Sequence, residues 1–417
     1  MVLSDLSNSV AGCGCYRQHV DWALNCASID VADLASFLSD AIVDLRLSTL
    51  DISEGGSRNY NGFKGRLARK YPFAGRFLAP ISGALAMHLA NPSAATFYPP
   101  YQFLSFMTHL TLENIDMSQE LEDEYVANED RLVQHHYPSN FVKELNEIMK
   151  DWFSDFKVDD SFLPCHGPGG TAELPRNAGL YAKYGYLSPD PLLTYVFQKF
   201  GGLNAKSFVP LDLDVVTSRQ SAIVFVPKSM KTKRVISKEP TTLLYFQKGV
   251  DSLIRKYIAK HPYLSKRIDL NDQGAQGSIA IEASRTRYHA TVDLSAASDS
   301  VSYDLVKRVF HGTALYPFLV ALRSTRTELP SGKIVALTKY APMGSALCFP
   351  VETLLFACIV ELTARYVHAV TGTLCTDYHV YGDDIIVRDS CLADLVVNLG
   401  WCAFRTNPLK TYGGESR

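Results

Sequence analysis

The spacing of apolar residues predicts a chain that is helical at first and mixed later. Phe141, Val142, Leu145, Ile148, Met149, Trp152 and Phe153 recur at the three-and-four interval of one helix face. That stripe reads as core rather than as a cofactor site. Leu243, Leu244, Gln247, Val250, Ile254, Tyr257 and Ile258 repeat the interval, as do Leu354, Leu355, Cys358, Ile359 and Leu362. Short apolar runs then break in: Ile223-Val224-Phe225, Val235-Ile236, the start of Ala290-Thr291-Val292, His379-Val380 and Ile385-Ile386-Val387 read as strands. Proline and glycine gather at residues 164–170 and at Gly201-Gly202, which read as joints. No internal repeat or low-complexity tract is present. The expected class is α+β with an antiparallel sheet.

Between the last two strands lies Tyr381-Gly382-Asp383-Asp384, two adjacent carboxylates at a tight turn. Gly382 supplies the backbone freedom such a turn demands, and a turn tip keeps the charges out of the core. A solvated acidic turn has the same composition, so neighbouring segments must decide. Asp293 ends the strand Ala290–Val292 and opens a run of small residues, Ser295-Ala296-Ala297-Ser298-Asp299-Ser300. If the two strands are neighbours in one sheet, three acids meet. An all-oxygen set of that kind suits Mg²⁺ or Mn²⁺ and phosphoryl transfer with two ions.

Two further segments belong to the same picture. Met343-Gly344-Ser345 leads into the Leu354 helix, where glycine permits close backbone approach and Ser345 offers a hydroxyl to a sugar or phosphate. Upstream, residues 225–238 carry Lys228, Lys231, Lys233, Arg234 and Lys238 without an acid. Framed by strands, this basic loop suits a triphosphate or an RNA backbone.

The order of these pieces resembles the catalytic subunit of RNA-phage (levivirus) replicases, RNA-directed RNA polymerases. The likeness rests on Val226-Pro227-Lys228, Lys231-Thr232, Arg234, Ile268–Gln273, Asp293–Ser300, Met343-Gly344, Tyr381–Ile386, Thr406-Asn407 and Lys410-Thr411. Before residue 220 it thins to the glycine-rich His166–Glu173 segment. The resemblance implies a right-hand polymerase, with helical fingers over residues 1–285, a basic fingertip at 223–240 and a palm over 286–417. It implies that Asp293, Asp383 and Asp384 hold two Mg²⁺ ions, which Mn²⁺ can replace. Lys228, Lys231, Lys233 and Arg234 would then line nucleotide entry, Asp299, Gly344 and Ser345 would meet the ribose, and Lys410 would protonate the leaving pyrophosphate. The implied partners are template and product RNA, nucleoside triphosphates, host elongation factors Tu and Ts and a ribosomal protein, in the cytoplasm of a bacterial host. Two departures stand out. Ser345 occupies a position where a relative carries asparagine, and the family continues past this chain's end into a primer grip and helical thumb, so the thumb is expected to be missing or truncated.

Two rival readings remain open. A reverse transcriptase shares the acids, but it places a bulky side chain where Ala296, Ala297 and Ser298 leave room for a 2′ hydroxyl. An inactive RNA-binding fragment is the other, in view of the expected truncation.

Composition changes this little. The 417 residues exceed one typical core, and a net charge of −2 matters less than its distribution. Residues 225–260 hold nine basic side chains against Glu239 and Asp251. Glu113, Asp116, Glu120, Glu122, Asp123, Glu124, Glu129 and Asp130 form an acidic stretch that reads as a solvated face turned from RNA. Nine scattered cysteines suit a reducing compartment, and no zinc site is expected at Cys13, Cys15 and Cys26. No segment reads as targeting or spanning a membrane, because Glu361 and Arg365 interrupt the most apolar helix.

Overall fold

The computed structural model describes residues 31–53, 59–108, 118–158, 162–187, 190–201, 219–228, 233–408 and 410–413. The chain divides into two compact units. One comprises Met1–Met117 with Val226–Arg234 and Arg417, the other Ser118–Phe225 with Val235–Ser416.

The amino-terminal part of the first unit is helical where described, with helices at Val31–Ser53, Tyr60–Lys70, Ala74–Leu78, Ser82–Ala90 and Ala94–Thr108. Phe37, Leu38, Leu45, Phe63, Phe77 and Leu85 form its core, and Arg66 pairs with Asp44 at 2.9 Å beside it. Cys13, Cys15 and Cys26 lie outside the described residues.

Among the described residues the remainder mixes helices with three small sheets, Val226-Pro227 of the first strand and Lys233-Arg234 of the second being counted with the first unit and the other strand residues with the second. The strands, in chain order, are β1 (Gln220–Pro227), β2 (Lys233–Lys238), β3 (His289–Val292), β4 (Leu294–Ser295), β5 (Arg326–Glu328), β6 (Ile334–Ala336), β7 (His379–Tyr381), β8 (Asp384–Arg388) and β9 (Arg405–Thr406). They pair in the orders β2-β1-β5-β6, β3-β8-β7 and β4-β9. The β3-β8-β7 sheet is antiparallel throughout, as expected. Its centre, β8, buries Ile385, Ile386 and Val387 in succession, which explains why that run reads as continuously apolar rather than alternating.

Three helices carry this sheet's core. The predicted stripe from Phe141 onward forms the Ser139–Trp152 helix, and that from Leu243 forms Thr241–Lys260. The Cys348–Thr371 helix is long and apolar enough to span a bilayer, with a mean hydropathy of 1.4, but here it is packed inside the protein on nearly all sides. Glu361 is tolerated within it because the hydroxyls of Tyr263 and Tyr378 donate to its Oε2, at 2.5 and 3.0 Å, and Arg365 pairs with its Oε1 at 2.8 Å. A charge that looks like an interruption in sequence is a fully partnered core group.

The acidic stretch departs from expectation in the same way. Glu113 and Asp116 lie outside the described residues, and the Ser118–Gln134 helix exposes Glu120, Asp123, Glu124 and Asp130 but buries Glu122 and Glu129. Glu122 accepts from the backbone N–H (2.8 Å) and hydroxyl (2.5 Å) of Ser331, and Glu129 from the N–H groups of Thr338 (2.5 Å) and Lys339 (3.1 Å). These two acids cap the backbone around the β5–β6 hairpin instead of facing solvent. A count of charges along sequence does not separate the two faces of a helix.

Gly344 packs directly on β2. Its φ is +124°, and an added Cβ would stand 2.0 Å from the Ser237 carbonyl oxygen, while the Ser237 N–H donates to the Met343 carbonyl at 2.7 Å. Gly344→Ala is therefore expected to destabilise the fold by about 3 kcal/mol or more, through backbone strain and a clash that backbone atoms cannot yield to. Chemical denaturation of wild type and variant checks this; equal midpoints would contradict it.

Candidate active site

Strand register brings the acids together. Val292 lies opposite Ile385 in the β3–β8 pair, so the next residue, Asp293, faces the start of β8 at Asp384. Tyr381 pairs with Asp384, which leaves Gly382 and Asp383 as the two residues of the hairpin turn. Gly382 has φ +60° at the first of those positions, the conformation that a tight hairpin of this twist requires. The turn is seated on the Cys348–Thr371 helix: the Gly382 N–H donates to Thr353 Oγ1 at 2.9 Å, and a Cβ there would meet Phe349 at 2.6 Å.

Asp293 is held from the other side as well. β4 pairs with β9, and the next residue, Asn407, donates its N–H to the Asp293 carbonyl at 2.8 Å and its Nδ2 to Asp293 Oδ2 at 3.2 Å. Lys410 Nζ stands 3.6 Å from the same oxygen. Both partners are partly exposed, so the pair orients more than it stabilises. Across the turn, Gln273 Nε2 donates to Asp384 Oδ2 at 3.1 Å.

The electrostatics fit a crowd of acids. Burial raises the Asp383 carboxyl above its ordinary range, the charges of Asp384 and Asp293 push it further, and a backbone hydrogen bond and Lys410 oppose them. Beneath the turn, Glu352 is pushed up to about 8, first by burial and then by Asp383 and Asp299. Among the described residues no three His, Cys, Asp or Glu side chains are gathered tightly enough to hold an ion as they stand. The donor chemistry is nevertheless that of a hard divalent cation: oxygen ligands alone, mutually repelling, with an ammonium already drawn to one of them.

The other sequence-derived residues fall into three groups. Asp299 lies on the short Ala297–Ser300 helix, entered through Ala296 at φ +50°, and its Oδ1 accepts from Lys339 Nζ at 2.9 Å. Ser345 is buried, donating its hydroxyl to Gln247 Oε1 at 3.1 Å and accepting from the Leu347 N–H at 3.3 Å, so its hydrogen bonds are satisfied within the protein. Lys228, Lys233 and Arg234 belong to the first unit, where Lys228 and Arg234 are exposed, and Lys231 lies outside the described residues. Asp293, Asp383, Asp384 and Lys410 are thus the members that the structure brings together.

Residues 207–416, just over half of the chain, match the family model described as RNA replicase, beta-chain. The chain belongs to this family. It is 32% identical over 254 residues to the RNA-directed RNA polymerase subunit beta of Enterobacteria phage SP, covering 61% of this chain and 42% of the relative. It is 36% identical over 208 residues to that of Qbeta virus (strain MX1), covering 50% and 34%, and 33% identical over 192 residues to the RNA-directed RNA polymerase beta chain of Escherichia phage MS2, covering 46% and 33%. The alignments thus span less than half the length of these curated relatives.

Several residues around the clustered acids have no role that their own type or spacing reveals. Asn407 and Gln273 stand within segments that carry the family resemblance, but only the tertiary pairing sets them against Asp293 and Asp384. Glu352 is the one with a readable cue, a lone acid on an otherwise apolar helix face eight residues after Gly344. Its raised carboxyl gives a pH prediction. The unfolded group ionises near 4.5 while the folded one stays neutral to about 8, so wild-type stability is full below the lower value and is lost as pH rises toward the upper one. In chelator-containing buffer, Glu352→Gln is expected to melt close to wild type at pH 5 and clearly above it at pH 8. Parallel melting curves across that range would contradict the assignment.

Proposed function

We propose that this chain carries the fingers and palm of an RNA-directed RNA polymerase, with right-hand layout and two-metal nucleotidyl transfer. The observation that carries the reading is the convergence of Asp293 with the Gly382–Asp384 turn at one end of the β3–β8–β7 sheet, where Asp383 feels both other acids. Family membership supports the same chemistry. The palm is proposed to begin near residue 286, after fingers that include the basic segment 223–240.

Asp293, Asp383 and Asp384 would hold the ions, Mg²⁺ or in its place Mn²⁺. Two bound divalent cations supply activation of an RNA 3′ hydroxyl and neutralisation of the leaving pyrophosphate. The protein's own groups do the rest. Asn407 and Gln273 orient the carboxylates, Lys410, drawn to Asp293, hands a proton to the leaving pyrophosphate, and Asp299 accepts a hydrogen bond from the ribose 2′ hydroxyl. Lys228, Lys231, Lys233 and Arg234 neutralise the incoming triphosphate, with the arginine fork suited to bidentate phosphate contact. Gly344 and Ser345 serve the ribose pocket by fixing its loop, through β2 and Gln247. Template RNA, nucleoside triphosphates, the elongation factors Tu and Ts, a ribosomal protein and a bacterial cytoplasmic setting belong to this proposal.

The test is primer-template extension with ribonucleotides and Mg²⁺. Asp383→Asn is expected to lower synthesis by about 10³-fold or more, because it removes charge from the ion site, while RNA affinity stays within about twofold. RNA binding without synthesis by wild type would favour the inactive binding fragment. Preference for deoxyribonucleotides would favour a reverse transcriptase.

A further inference from the structure

Lys339 is fully buried, at 0% side-chain exposure, within the second unit. A buried ammonium persists only with counter-charge and hydrogen bonds around it. Its Nζ donates to Asp299 Oδ1 at 2.9 Å, stands 3.4 Å from Glu129 Oε1 and lies 3.4 Å above the centre of the Tyr125 ring. Glu129 is itself immobilised by the backbone N–H groups of Thr338 and Lys339. The same Ser118–Gln134 helix grips Asp299 a second time, since Asn128 Nδ2 donates to the Asp299 carbonyl at 2.5 Å. Asp299 is thereby fixed through side chain and backbone, by residues 40 and 171 positions away in sequence.

We infer that Lys339 is a positioning residue that sets the choice of ribonucleotide over deoxyribonucleotide by holding Asp299 in one orientation; the inference rests on the polymerase reading above. The physical reason lies in how a hydroxyl is recognised. A site rejects the analogue lacking a hydroxyl to the extent that its acceptor is fixed and left unpaired when the hydroxyl is missing. With Oδ1 bound to Lys339, the Asp299 carboxylate cannot rotate freely, and on this inference Oδ2 is the oxygen that meets the 2′ hydroxyl. Without the ammonium, the quarter-exposed carboxylate turns into water and accepts from solvent whichever sugar is bound. A purely structural lysine would change stability and overall rate but not the ratio between the two sugars.

The experiment measures kcat/KM for ATP and for 2′-deoxyATP with the intact chain, Mg²⁺ and an RNA primer-template, alongside melting curves, for wild type, Lys339→Met and Asn128→Ala. Lys339→Met is expected to lower the ribo-to-deoxy ratio about tenfold, the effect of losing one hydrogen bond to a charged group. Asn128→Ala, which also removes the Oδ1 that accepts from Arg131, is expected to lower the ratio in the same direction by a smaller factor, with a modest loss in melting temperature. If Lys339→Met does not fold, Asn128→Ala decides alone. An unchanged ratio in the folded variants, with RNA synthesis intact, overturns the Lys339 assignment and leaves the polymerase reading standing. Absence of synthesis by wild type overturns that reading, and the assignment falls with it.

Discussion

The pairing of β3 with β8 is the constraint on which the rest depends, because it forces like charges together at the strand ends. Opposed acids on neighbouring strands cost less than about 1 kcal/mol when they remain partly solvated. Each fully buried valine or isoleucine behind them contributes about 1.5–3 kcal/mol. With Val292, Ile385, Ile386 and Val387 all buried, hydrophobic register wins and the acids accept their placement. The repulsion stored there is what a divalent cation can relieve, so the same pairing that builds the sheet defines the chemistry at its edge.

Support for that edge comes from below and from both flanks. The Cys348–Thr371 helix seats the turn through Thr353 and Phe349 and places Glu352 beneath it. β9 delivers Asn407 and leads to Lys410 on the Asp293 side, while the segment before the Gly274–Thr286 helix delivers Gln273 to Asp384. Gly344, pressed on Ser237, and Gln247, bonded to both Ser345 and the Ala346 N–H, hold the neighbouring loop. The clustered acids are presented by regular elements, and the polar groups that position them have partners of their own.

The sequence was legible wherever structure follows from short-range pattern. The Tyr381–Asp384 hairpin could be read because Gly382 and two acids sit between apolar runs, and the core helices because their stripes keep one interval. What could not be read depends on pairs far apart in the chain. Glu129 and Lys339 neutralise each other across 210 positions, and without that partner Glu129 looked like part of a solvated acidic face. Ser345 was expected to offer its hydroxyl outward, and no local rule reveals that Gln247 stands 3.1 Å away to receive it. Glu361 misled in the same sense, since the two tyrosines that make it a core residue come from distant segments. Helix faces and strand neighbours are tertiary facts; the chemistry of the turn is a local one.

On the proposed function, three carboxylates from segments far apart in sequence share divalent metal. Crystals soaked in Mn²⁺ and measured at its absorption edge test it most directly. Anomalous density is expected within bonding distance of both Asp293 and Asp383, with Lys410 displaced from Asp293. Ordered Mn²⁺ elsewhere on the protein, with nothing between those two carboxylates, would contradict it.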